Sequence, residues 1–260
     1  LPLRPYSNNQ WVIATYYIES DHLEKAATAI ARGQSIGNPT IKASLEDNEL
    51  VRKHSAFYRI GNEHIVVVYY PKKNFGREGI NYLMSVLMGG QCDIDIIREC
   101  KLIDLETTAI EEKFRYPRYG KEGIRKLIEI YDRPLIGGII KPKIGLKPQQ
   151  VADICKQMAD GGIDFIKEDE ILADQGWCPM RIRIPLVAKA LQNYKLIYAP
   201  CITGDGTEIV HKAHLAKNLG ATGIHFNLWC GLGSYLEIRK KVDLPLFFQK
   251  SGVRVWTTGP

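Results

Sequence analysis

The sequence predicts an α/β protein. It divides into an α+β (ferredoxin-like) domain over residues 1–110, a connector over 111–134, and the first part of a (β/α)8 TIM-type barrel over 135–260. Three observations carry this. After Pro134, short apolar runs alternate with amphipathic helical stretches roughly every 25 to 30 residues, the rhythm of parallel βα units. Before residue 110 strands and helices mix without that rhythm, and "SAFYRIGNEHIVVVYY" reads as two strands joined at Gly61-Asn62. Finally, polar groups gather where the later strands end: Lys141 and Lys143, Lys167 with Asp169 and Glu170, Thr203, His225 and Asn227, Gln249 and Lys250. A βα-barrel collects its active site at those ends. A doubly wound sheet would carry a glycine-rich phosphate loop after its first strand, and "KPKIGLKP" is not one.

The elements follow in order. "WVIATYYI" alternates as a strand does. "DHLEKAATAIARG" is a helix with Asp21 as N-cap and Gly33 at its end. After the hairpin come a helix in "GREGINYLMSVLMGG" and a strand in "ECKLIDLETT", so the first domain should hold an antiparallel sheet. "EEKFRYPRYGKEGIRKLIEIYDRP" is a charged, aromatic connector. The barrel strands are "LIGGIIK", "IDFIK", "KLIYAPCIT", "TGIHFN" and "LPLFFQK". Between them lie helices in "KPQQVADICKQMADGG", "RIPLVAKALQNY", "TEIVHKAHLAKNLG" and "GSYLEIRKKVD"; Pro148 opens the first of these and Gly161-Gly162 follow it. Five βα units are fewer than a closed barrel's eight, so the chain reads as truncated after the fifth strand.

Composition excludes several classes. At 45% hydrophobic and 25% charged, this is an ordinary globular chain. No apolar run is long enough to span a membrane, and no signal peptide opens the sequence, which predicts a cytoplasmic protein without membrane contact. Six cysteines lie scattered without CxxC spacing, as reduced and mostly buried thiols do. The net charge of +6 is spread along the chain with no basic cluster interleaved with aromatics. That argues against nucleic acid and suits an anionic small substrate.

The run "GGIDFIKEDEIL" sets Lys167 at the end of an apolar strand before Glu168, Asp169 and Glu170. It is either a solvated turn with local ion pairs or a divalent-metal site, since Mg2+ prefers hard oxygen ligands. Lys141 and Lys143 are two residues apart, and on a strand they would share one face. His225 and Asn227 alternate in the same way.

"GGIIKPKIGLKP", followed by "GGIDFIKEDE", resembles the RuBisCO large-chain superfamily, and the resemblance covers essentially the whole chain. It implies that Lys167 reacts with CO2 to form a carbamate. The carbamate would hold Mg2+ together with Asp169 and Glu170. Lys141 would move a proton at the reacting centre, and Lys143 would support it by charge. Asn38, His225, Asn227 and Lys250 are the substrate-side candidates. Gln249 and Lys250 stand where carboxylating members carry a histidine and an arginine. Asn38-Pro39 and Gly89-Gly90 also depart from the carboxylase pattern. The chain therefore looks like the RuBisCO-like branch, lyases or isomerases that form a Mg2+-stabilised enediolate from a phosphorylated keto-sugar or sugar acid by enolisation, isomerisation or decarboxylation. A non-catalytic homologue with an assembly or regulatory role and a true ribulose-bisphosphate carboxylase are the alternatives. The resemblance further implies a homodimer or higher oligomer in which one chain's first domain covers the other's barrel mouth.

Overall fold

The computed structural model describes residues 9–37, 44–76, 78–114 and 117–252. The chain forms two compact units, Leu1–Arg115 and Tyr116–Pro260.

In the first unit the strands are β1 (Trp11–Glu19), β2 (Phe57–Ile60), β3 (Ile65–Pro71) and β4 (Glu99–Glu106), with helices α1 (Leu23–Gly33), the short α2 (Glu49–Arg52) and α3 (Gly79–Leu87). All pairings are antiparallel, in the order β2-β3-β1-β4. With α1 following β1 and α3 following β3, this is the ferredoxin-like βαββαβ arrangement. The period-two pattern of β1 explains it. Val12, Ala14, Tyr16 and Ile18 join Ala26, Ala27 and Ile30 of α1 and Leu83 and Leu87 of α3 in one core. Ile13 packs on the other face with Val67 and Tyr69. The buried Tyr16 hydroxyl donates to the Leu87 carbonyl at 2.8 Å. In the hairpin loop, the Asn62 side-chain oxygen accepts from the N–H groups of His64 and Ile65 at 3.0 and 2.9 Å. Asp21 does not cap α1. The N-cap is His22, whose side chain makes no capping bond, and Asp21 instead pairs with Arg98 at 2.7 Å.

The second unit opens with α4 (Gly120–Ile128), a helix inside the stretch read as connector. Then β5 (Gly137–Ile139), α5 (Pro148–Asp160), β6 (Phe165–Lys167), α6 (Met180–Ala190), β7 (Ile197–Ala199), α7 (Glu208–Asn218), β8 (Ile224–Asn227), α8 (Leu232–Lys241) and β9 (Leu246–Gln249) alternate as expected. Every strand pairing is parallel, and a bridge between Cys201 and His225 links β7 to β8. The five strands thus lie side by side in chain order. Ile166, Tyr198, Ile224 and Phe226 meet Val151, Cys155, Ile184 and Val187 of the helices in one core. Pro148 fills the first turn of α5, where its missing N–H is not needed. Gly162 then takes a positive φ of 81° to turn the chain into β6. Gly137 serves a different purpose: a Cβ there would lie 1.7 Å from the Phe165 ring, which packs against the bare backbone. All six cysteines are free; Cys155, Cys178 and Cys201 are buried and the other three half-buried. No helix among the described residues is long and apolar enough to cross a membrane.

Candidate active site at the strand ends

The site grows from the C-terminal ends of β5 and β6. Strand β5 stops at Ile139, so Lys141 and Lys143 stand on the loop beyond it and share no strand face. They nevertheless converge. Lys141 donates a short hydrogen bond to the Asp169 carboxylate, and the Lys143 ammonium lies 4.0 Å from its other oxygen. The Asp169 side chain is 2% exposed and that of Lys141 50%, so a buried anion is faced by cations open to solvent. Burial pushes the Asp169 carboxyl upward, but the Lys141 ammonium and the Ile171 backbone N–H outweigh it and hold the group below the usual range.

Lys167 ends β6, half-buried, and donates to the Gln249 side-chain oxygen at the end of β9 over 2.5 Å. Burial lowers the pKa of its amine, against the upward pull of Glu170 and Asp169. The carboxylates in this run do different work. Glu168 is fully buried and grips Arg183 of α6 through two contacts, 2.7 and 3.0 Å. It also accepts from the Tyr198 hydroxyl at 2.6 Å and the Cys201 backbone N–H at 2.9 Å. Arg183 donates in addition to the carbonyls of Cys178 and, at 2.8 Å, Ala173. Burial alone would depress the Arg183 pKa, and the Glu168 charge outweighs that and raises it. One charge pair thus ties β6, α6, β7 and the loop between β6 and α6 together. Glu170 is half-buried, and its carbonyl accepts from the Thr203 hydroxyl at 3.1 Å.

On β8, His225 is fully buried and neither ring nitrogen makes a hydrogen bond of good geometry. Burial, helped by the nearby Lys167 charge, lowers its pKa to about 4 against a weaker opposing pull from the Gln249 amide, so the ring is neutral. Asn227 is buried, and its oxygen accepts from the Trp229 N–H at 3.0 Å. Lys250 follows β9 and is exposed. Asn38 lies outside the described residues.

Among the described residues no three His, Cys, Asp or Glu side chains converge as a ready cation cage. Asp169 and Glu170 offer two hard oxygen donors beside an amine. That set fits a hard divalent ion once Lys167 bears a carboxylate of its own. The structure brings Lys141 and Lys143 to Asp169, and the charges of Glu170 and Asp169 act on the Lys167 amine. The sequence reading missed the Glu168–Arg183–Tyr198 network and the Lys167–Gln249 contact. The available signal was Arg183 set between the buried Met180 and the buried Ile184 and Val187 on one helix.

These features define a class of protein: a ferredoxin-like domain joined to parallel βα units, with lysines and carboxylates clustered at the strand ends. The chain belongs to the ribulose bisphosphate carboxylase large-chain family. Residues 5–109 match its N-terminal domain and residues 121–257 its catalytic domain. It is 36% identical over 203 residues to a ribulose bisphosphate carboxylase-like protein of Bordetella bronchiseptica, covering 74% of this chain and 47% of that one. It is 33% identical over 243 residues to the 2,3-diketo-5-methylthiopentyl-1-phosphate enolase of Geobacillus thermodenitrificans, covering 84% and 58%. An archaeal RuBisCO crystal structure superposes with a TM-score of 0.87 at 23% identity, over 99% of this chain and 65% of that one. The chain therefore spans about half to three-fifths of the length of these curated relatives.

Proposed function

We propose that this chain carries the metal and proton-transfer part of a RuBisCO-like enzyme, a lyase or isomerase that enolises a phosphorylated keto-sugar or sugar acid. The single observation that carries the reading is the convergence of Lys141 and Lys143 on buried Asp169, beside Lys167. Carbamylated Lys167, Asp169 and Glu170 would hold Mg2+, which when bound stabilises the negative oxygens of an enediolate. Lys141, half-exposed beside Asp169, would move a proton to or from the carbon beside the substrate carbonyl or its oxygen. Lys143 adds positive charge where an anion develops. Lys250 is an exposed point charge suited to a phosphate. His225 offers a neutral N–H donor and acceptor from the interior, and Asn227, two residues on along the same strand, is a further substrate-side candidate. The mild positive charge of the whole chain favours such an anion.

The test is proton exchange. With Mg2+ and bicarbonate in deuterium oxide, a phosphorylated 2,3-diketone should gain deuterium at the carbon beside the carbonyl. Lys141→Ala should slow that gain by about 100-fold or more, the usual contribution of a positioned acid or base. Exchange at parental rate in Lys141→Ala would remove Lys141 from the mechanism. A homodimer or higher oligomer is part of the same proposal.

A further inference from the structure

The contact between Lys167 and Gln249 joins the end of β9 to the candidate metal site. The Gln249 oxygen accepts from the Lys167 amine at 2.5 Å, and the Gln249 nitrogen donates to the Ser251 hydroxyl at 3.3 Å. An amide has a donor end and an acceptor end. Facing an amine it must present oxygen, and facing an anion it must present nitrogen. A half-turn of the terminal amide exchanges the two ends without moving the backbone. Ser251 tolerates either state, because a hydroxyl both accepts and donates. A second observation lies alongside. Buried His225 leaves both ring nitrogens without a hydrogen bond of good geometry. Buried polar atoms are rarely left so, and an orphan marks the place of a missing partner. A carbamate on Lys167 would bring two oxygens into this neighbourhood.

We propose that Gln249 is a positioning residue for the modification of Lys167, presenting its amide oxygen to the free amine and its amide nitrogen to the carbamate. The inference rests on the reading of Lys167 given under the proposed function. In the step itself the neutral amine nitrogen attacks the carbon of CO2. One N–C bond forms, one C–O π pair moves onto oxygen, and a proton leaves to water, giving R–NH–COO− and H+. Gln249 exchanges no atoms. It holds the amine at the start and one carbamate oxygen at the end, with the Ser251 hydroxyl turning in step.

The experiment uses the 260-residue chain and two readouts that need no turnover: the carbamate carbon signal from carbon-13 bicarbonate by NMR, and Mg2+ affinity by calorimetry with and without CO2. Four variants divide the possibilities. Gln249→Glu keeps the acceptor and loses the donor, so the carbamate signal should vanish and the CO2-dependent gain in Mg2+ affinity should fall about tenfold or more, as for loss of a hydrogen bond to a charged group. Gln249→Leu should fall by a similar factor. Gln249→Asn, a smaller change at a half-exposed position, keeps both ends and should retain part of the signal. Ser251→Ala should reduce it mildly. If the parent shows no carbamate at all, the Lys167 reading fails. If the parent is carbamylated and Gln249→Glu, Gln249→Leu and Gln249→Asn match it in both readouts, that reading stands and the role of Gln249 is wrong. Should Gln249→Leu fail to fold, Gln249→Asn and Gln249→Glu decide the matter alone.

Discussion

Lys167 and Glu168 are neighbours that serve opposite faces of the same strand end. A strand turns successive side chains to opposite sides, so Lys167 meets Gln249 while Glu168 runs inward to Arg183. The alternation was legible in "FIKEDE"; the identity of Glu168's partner was not, because it sits fifteen residues away on a helix. Asp169 returns to the Lys141 side. Asp169→Asn should therefore weaken Mg2+ binding by about 100-fold, since a hard-cation site loses one of two carboxylates, and calorimetry would show it. The same variant should free Lys141. His225 supplies a pH prediction. Its folded pKa of about 4 lies below the unfolded value near 6.5. The unfolded chain therefore binds the extra proton first on acidification. The neutral ring's contribution is complete above about pH 6.5 and is lost as pH falls toward 4, by up to about 3 kcal/mol. In urea melts, His225→Phe should lose less stability than the parent between pH 7 and 4.5. Equal losses would show that His225 does not titrate in that window.

At the scale of elements, the buried Glu168–Arg183 pair is the part that holds the loop before α6. Arg183→Met alone strands a buried carboxylate and should cost about 3–5 kcal/mol, whereas adding Glu168→Leu should recover most of it. A double-mutant cycle by denaturant unfolding measures the difference. If the double variant were as unstable as the single, the cost would lie in packing and not in the orphaned charge. Gly137→Ala is the second test. The Phe165 ring occupies the space a Cβ needs, so the ring or β5 must move, and the cost should be about 1–3 kcal/mol of overpacking. The βα alternation of the second unit was readable strand by strand because each apolar run is bounded by glycine, proline or a charged residue. Two features were not. Gly120–Ile128 forms a helix although its many charges read as a connector. Asp21 fits the capping preference but pairs with Arg98 on a segment distant in sequence. Both outcomes depend on tertiary partners that local propensity does not contain.

For the whole molecule, the two compact units have separate cores, and the candidate chemistry belongs to the second. In the first unit, Gly89 leaves no room for a side chain: a Cβ there would lie 2.1 Å from the Gln34 amide nitrogen and 2.6 Å from the Ser85 carbonyl. With ribulose bisphosphate and labelled CO2, no stable labelled three-carbon product should form. Incorporation at ordinary turnover would contradict this. Light scattering should report a dimer. Family and fold were legible in two motifs, whereas the substrate is not, since Lys250 is an exposed cation with little shape of its own. The most direct test of the central claim is Mg2+ titration of the parent and Lys167→Ala, each with and without CO2. The account predicts that CO2 tightens Mg2+ binding to the parent and has no effect on Lys167→Ala, whose affinity falls by roughly 100-fold or more. Equal Mg2+ affinity in the two proteins, indifferent to CO2, would contradict it.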